Sequence, residues 1–249
     1  MWFLFFFIVR KLIFVKTIWR GTDTAGSGRV PAAFNNVIGL KPSIGVISTE
    51  GVIPACKTLD CVSIFGLTVP DTILVLQCAK GNKNDQKLTK IKNRSEILSD
   101  SLGKELSIST FHFGFPNKKF LKFFGNEEAE KLYYKSIENF QKIGGIPIEI
   151  EFDSFVKVAD LLYSGPWVSE RTLVFEDFLK DKSDYLHPIT KKILETGFKF
   201  SSLDVYKSIY ELNELKEKIQ LIMDKIDIIL LPTTGTIYKV TVFFFSFDF

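Results

Sequence analysis

Gly21-Thr-Asp-Thr-Ala-Gly-Ser-Gly-Arg-Val-Pro-Ala32 is the stretch on which the reading of this chain turns. Small residues dominate Ala25 to Gly28, and one hydroxyl, Ser27, stands between two glycines. Glycine allows positive φ and close backbone approach to a ligand. A serine in such a loop can present its Oγ while neighbouring N–H groups converge on an oxyanion. Gly26-Ser27-Gly28 is therefore a candidate nucleophile loop, although a bare Gly-Ser-Gly is also a common turn. The flanking residues decide between the two.

Working outward, Gly21 to Pro42 reads GTDTAGSGRVPAAFNNVIGLKP, followed by Val-Ile-Pro-Ala-Cys at 52–56 and Leu-Asp-Cys-Val-Ser at 59–63. This long stretch resembles the nucleophile segment of the amidase signature family, most of all its allophanate hydrolase branch. The resemblance implies that Ser27 is the acylated nucleophile. It also implies an oxyanion hole made by the backbone amides of Thr24, Ala25, Gly26 and Ser27. Further along, Ala159 to Arg171 (ADLLYSGPWVSER) breaks a helical pattern at Gly165-Pro166, setting Tyr163 and Arg171 on either side. Read alone, Arg171 is a surface ion-pair residue and Tyr163 a core aromatic. Arginine also offers a planar fork suited to a carboxylate. The resemblance implies that Tyr163 and Arg171 hold the carboxylate of allophanate.

The family fold implied is a mixed β-sheet flanked by helices, and the sequence pattern independently gives α/β. Likeness runs from about Gly21 to Lys239, so three segments are expected. These are an apolar stretch over 1–20 unlike the family, a partial amidase-signature domain over 21–240, and a Phe-rich tail over 241–249. The family triad joins the nucleophile to a second Ser, in a cis peptide, and to a Lys, both upstream. Met1 to Ala25 contains no Ser, and the surroundings of Lys11 and Lys16 do not resemble the family's lysine strand. Hydrolysis of allophanate to ammonia and carbon dioxide is thus expected to be impaired, and a truncated or frame-altered gene product would account for both ends. The resemblance implies no metal or organic cofactor. It implies a small amide acid as substrate and, by pathway analogy, a biotin-dependent urea carboxylase as partner, while a cytoplasmic location is expected from the cysteines. A homodimer and another chain supplying the missing groups stay open.

Composition narrows the alternatives. A hydrophobic content of 46% over 249 residues describes a chain able to bury a large core. A net charge of +3 is too small to argue for nucleic acid. Cys56, Cys61 and Cys78 match no zinc pattern and only His112 and His187 could add imidazoles, so buried reduced thiols are expected. Residues 1–20 invite a membrane reading, but Arg10, Lys11 and Lys16 interrupt the apolar run. The expectation there is a buried strand or an apolar tail, with a membrane-associated binding protein as the competing reading. A Ser-His-Asp hydrolase fits poorly, because Ser27 lacks the glycines two residues away on both sides that a nucleophile elbow prefers. The glutamyl-tRNA amidotransferase subunit of the same family normally carries a second Gly where this chain has Ala25.

Periodicity supplies the remaining elements. Ala32 to Leu67 reads as short strands and tight loops. Asp71 is expected to cap a helix through Ile73 to Cys78. Lys80 to Arg94, with five Lys and one Arg, reads as a solvated connection. A strand over Leu106–Phe113 should stop at Gly114 and Pro116, with His112 a structural residue inside it. Asn126 then opens a helix through Ile143 whose apolar stripe is Leu132, Tyr133, Ile137 and Phe140. A strand over Ile146–Phe152 follows, and the order implies a parallel crossover. Pro188 starts a helix after an exposed His187. A long amphipathic helix covers Ser202–Ile226, then comes a strand over Asp227–Leu231 and a loop from Pro232 to Tyr238.

Overall fold

The computed structural model describes residues 18–79 and 110–237, the Tyr163 side chain apart. The N-terminal segment through residue 17, Lys80 to Arg94, residues 106–109 of the expected strand and the Phe-rich tail lie outside the described residues. In chain order the elements are β1 (Trp19–Thr22), α1 (Arg29–Phe34), β2 (Ile38–Leu40), β3 (Val62–Gly66), α2 (Val69–Ala79), β4 (Phe111–Pro116) and α3 (Glu127–Lys142). They continue with β5 (Gly145–Ile150), α4 (Asp153–Tyr163), α5 (Trp167–Val174), α6 (Glu176–Lys182), α7 (Pro188–Thr196), α8 (Ser202–Met223) and β6 (Ile228–Ile229). The α/β class holds. Its strands divide into two three-stranded sheets, β1-β3-β2 and β5-β4-β6. The chain forms two compact units, Met1–Glu105 with Leu161–Ser208 and Leu106–Asp160 with Ile209–Phe249.

The first unit is built on the antiparallel sheet, with β3 between β1 and β2. Ile64 of β3 is fully buried and clusters with Val46, Ile47 and Leu76, the last from α2. Each such side chain contributes roughly 1.5–3 kcal/mol by leaving water. Helix α2 corrects one expectation: Thr68, not Asp71, is its cap. The Asp71 N–H donates to Thr68 Oγ1 at 3.3 Å, and the Thr68 hydroxyl donates in turn to the Asp71 carboxylate at 2.7 Å, so one helix donor is capped and the two side chains are joined. The short α1, which contains Pro31, was not expected. Pro31 occupies the first turn, where its missing N–H would have had no partner in the helix. Cys56 and Cys61 are buried as expected, whereas Cys78, on the far turn of α2, is exposed. Pro188 opens α7, and His187 before it is exposed.

In the second unit β4 runs parallel to both neighbours, with α3 making the crossover to β5. Asn126 caps α3 by accepting the Ala129 N–H at 3.0 Å, and Glu127, Glu128 and Glu130 fill its first turn. Tyr133, Ile137 and Phe140 lie at i, i+4 and i+7 on one face; Leu132, a residue earlier, is turned about 100° away and is 57% exposed. The expected stripe loses that one member. Phe113 is fully buried, and its ring meets Phe140 edge-on at 5.4 Å. Strand β4 also runs through Gly114 to Pro116, where an end was expected. The Gly114 carbonyl accepts the Leu230 N–H at 2.8 Å, and Ile226 and Ile150 fill the space a Cβ would need. His112 acts through its backbone: its N–H donates to the Asp227 carboxylate at 2.7 Å and its carbonyl accepts the Asp227 N–H at 2.8 Å. In the long helix Leu215 is buried, and Ile226 is buried just past the helix end.

Candidate active site

The loop after β1 is organised by a carboxylate that the glycines conceal in the sequence. Asp23 is fully buried, and its Oδ1 accepts the Gly26 N–H at 2.6 Å. Its Oδ2 accepts the Arg29 N–H at 3.0 Å and the Arg29 Nε at 2.9 Å, and Arg29 Nη2 donates to Oδ1 at 3.2 Å. Burial pushes this carboxyl up, but the Arg29 guanidinium and the two backbone N–H groups outweigh it and hold Asp23 below its ordinary value. It is ionised at neutral pH and pulls the chain into a ring closed from residue 23 to residue 29. Gly26 takes φ +125° to make that bend, a conformation costly for any side chain. A Cβ at Gly28 would sit 3.1 Å from the Cβ atoms of Asp23 and Ser63, so the third small residue is set by packing.

Ser27 stands at the tip of the ring with its side chain exposed; its Oγ donates to the Thr22 carbonyl at 3.2 Å. Among the described residues no carboxylate, imidazole or amine is hydrogen-bonded to that oxygen, and no peptide bond is cis. The four expected oxyanion amides are not equivalent. Gly26 already donates to Asp23, whereas among the described residues no hydrogen bond uses the N–H of Thr24, Ala25 or Ser27. Lys41, from the end of β2, braces the loop by donating to the Asp23 carbonyl at 2.8 Å and the Leu59 carbonyl at 3.4 Å.

A second buried carboxylate, Asp60, ties the loop to the following turn. It receives the Thr24 hydroxyl on Oδ1, and its Oδ2 accepts the N–H groups of Ala55 at 2.9 Å and Cys56 at 3.1 Å. The same turn is gripped from α5. Glu170 accepts from the Thr58 N–H at 2.8 Å, the Thr58 hydroxyl at 2.6 Å and the Cys56 thiol at 3.2 Å. Burial and the Glu170 carboxylate push the Cys56 thiol up to about 12, so it stays protonated. Arg171 follows Glu170 on α5, and its positive charge is felt at Cys56. Its Nε is buried and, among the described residues, has no hydrogen-bond partner. Tyr163 is the last residue of α4, before the Gly165-Pro166 break. The structure therefore joins Thr24, Ala25, Gly26 and Ser27 in one loop and links that loop through Asp60 and Glu170 to the helix that carries Arg171.

Sequence reasoning missed Asp23, Arg29, Asp60 and Glu170. The detectable signal was a pair of carboxylates, Asp23 and Asp60, each embedded in small or apolar residues, where an ion persists only with partners. Among the described residues no group of three or more His, Cys, Asp or Glu could hold a metal ion, and no helix is long and apolar enough to cross a membrane.

Comparison with known proteins then decides the family, since the amidase family profile matches residues 15–239. The chain belongs to the amidase family. Within it, the chain is similar to urea amidolyase of Saccharomyces cerevisiae, with 36% identity over 217 residues, 86% of this chain and 11% of that protein. The crystal structure of K. lactis urea amidolyase superposes with a TM-score of 0.77 and 32% identity, over 90% of this chain and 13% of that one. An allophanate hydrolase variant from Kluyveromyces lactis gives 0.77 and 31%, over 90% of this chain and 36% of that one. This amidase chain thus spans about a tenth of the urea amidolyases that it matches.

Proposed function

We propose that this amidase-family chain carries the acyl-accepting part of a site for allophanate or a similar small amide acid. Ser27 Oγ attacks the amide carbonyl, and the N–H groups of Thr24, Ala25 and Ser27 stabilise the developing oxyanion; Gly26 shapes the loop through Asp23. Departure of ammonia leaves an acyl ester on Ser27, which water then cleaves. Arg171, with Tyr163, receives the substrate carboxylate. The observation that carries this reading is the pattern of donors left unused among the described residues: three loop amides beside the Ser27 hydroxyl, and the buried Nε of Arg171. A buried guanidinium nitrogen left unbonded is costly, and an incoming carboxylate relieves it. The likeness to allophanate hydrolase and urea amidolyase, of whose chains the match covers 36% and 13%, supports the choice of substrate.

A second reading follows from the bare surroundings of Ser27 Oγ. With no base hydrogen-bonded to it among the described residues, the chain binds the acid but does not turn it over. Ammonia release from allophanate by the chain and by Ser27→Ala separates the two. Release by the unaltered chain that Ser27→Ala abolishes supports acyl transfer, and equal background from both supports binding alone.

A further inference from the structure

Glu170 sits in the first turn of α5 and reaches a turn more than a hundred positions earlier, where its two oxygens take three donors from Cys56 and Thr58. Neighbouring residues on a helix do not face each other, so Glu170 and Arg171 diverge. Both oxygens of Glu170 are engaged by the turn, and among the described residues the buried Arg171 Nε has no hydrogen-bond partner. The same turn holds the Ser27 loop on its other side, through Asp60 and the Thr24 hydroxyl. The turn's own carboxylate, Asp60, thus ties it to the Ser27 loop, and the Glu170 carboxylate of α5 grips the same turn.

We propose that Glu170 is a positioning residue whose carboxylate clamps α5 to the Cys56–Asp60 turn and sets Arg171 where it meets the carboxylate of a substrate bound at the Ser27 loop. The proposal rests on the reading of Ser27 and Arg171 given above. It assigns Glu170 no contact with substrate: the residue acts through Arg171, by fixing its helix and by turning its own carboxylate to Cys56 and Thr58 instead of to the Arg171 Nε. Cys56 gives a readout independent of any ligand, because its thiol is buried against the Glu170 carboxylate, while Cys78 is exposed and serves as an internal reference.

The test measures two quantities in the full chain. One is the affinity for malonamate, in which CH2 replaces the central NH of allophanate, by calorimetry. The other is the iodoacetamide modification rate of Cys56 relative to Cys78. Glu170→Gln should weaken malonamate binding at least tenfold and raise relative Cys56 modification at least tenfold. Glu170→Asp should recover part of both, and Thr58→Val should move both in the same direction by less, which covers a Glu170→Gln chain that fails to fold. Exposure of Cys56 with unchanged affinity would make Glu170 merely structural and overturn the proposal. Unchanged Cys56 modification would overturn the clamp itself. Should Arg171→Gln bind malonamate as tightly as the unaltered chain, or the unaltered chain not bind it, the site reading fails and the positioning role with it; the Cys56 rate still reports whether the clamp exists.

Discussion

The loop around Ser27 and the β4–α3–β5 crossover are both tight connections, but they are held by opposite chemistry. In the loop a fully buried carboxylate, Asp23, gathers two backbone N–H groups and the Arg29 guanidinium, and Asp60 does similar work on the next turn. In the crossover the fixed point is Phe113, with Phe111 and Phe140 packed around it at 5.4 to 6.2 Å. Directed hydrogen bonds to an ion set backbone orientation, which a loop presenting N–H groups to a ligand needs. Aromatic packing is tolerant of direction and supplies burial, which a parallel crossover needs. The difference teaches that in this chain charge is buried where geometry matters and apolar surface where only cohesion matters.

Substitutions can break that contrast. The largest effect is expected from Phe113→Ala, which removes a side chain with no exposure and should cost about 3–5 kcal/mol. Hydrogen exchange should show β4 and β5 losing protection while the amides around Ser27 keep theirs. Next, Asp23→Asn leaves buried donors without their ionic acceptor and should cost about 2–3 kcal/mol in a urea titration. Here the amides of Gly26 and Arg29 should lose protection, and those of β4 should not. If both substitutions loosened both regions equally, the contrast would be wrong.

Acid sharpens the same comparison. The folded state holds the Asp23 carboxyl below its ordinary 3.8, so its stabilisation is present in full above that pH and is lost as pH falls from 3.8 through the lower folded value. Acid should therefore loosen the Ser27 loop over that window, and Asn at position 23 should remove that part of the dependence. A loop whose exchange protection in this window is the same with Asp or Asn would refute the ionic account. The smallest effect is Asn126→Ala, expected at about 1 kcal/mol because one helix cap and the bond to Thr236 are lost. A cost larger than that of Phe113→Ala would show that capping, not aromatic burial, fixes the crossover.

Legibility followed the range of the forces involved. The crossover could be read from local pattern: Asn126 as cap, acidic residues in the first turn, Tyr133, Ile137 and Phe140 at helical spacing, and Gly144 after the last turn. The continuation of β4 through Gly114 and Pro116 could not, since both residues locally argue for a stop. Pairing with β5 and the packing of Ile150 and Ile226 against the bare Gly114 Cα overrule that preference. At the site, the Gly-Ser-Gly text located the loop and Ser27. That Gly26 donates inward to Asp23, leaving Thr24, Ala25 and Ser27 as the unused amides, depends on a φ that no residue letter records.

By itself, then, the sequence determined the capped helix and the paired strands of the crossover, the small-residue loop that carries Ser27, and the amidase-family likeness, because propensity, caps and short motifs act over a few neighbouring residues. Only the tertiary structure decided that Asp23 and Asp60 are buried anchors, and that Glu170 reaches back to Thr58 while the buried Nε of the next residue, Arg171, has no hydrogen-bond partner among the described residues. Those outcomes require side chains distant in the chain to share one desolvated space, where an ion persists only when enough donors converge upon it.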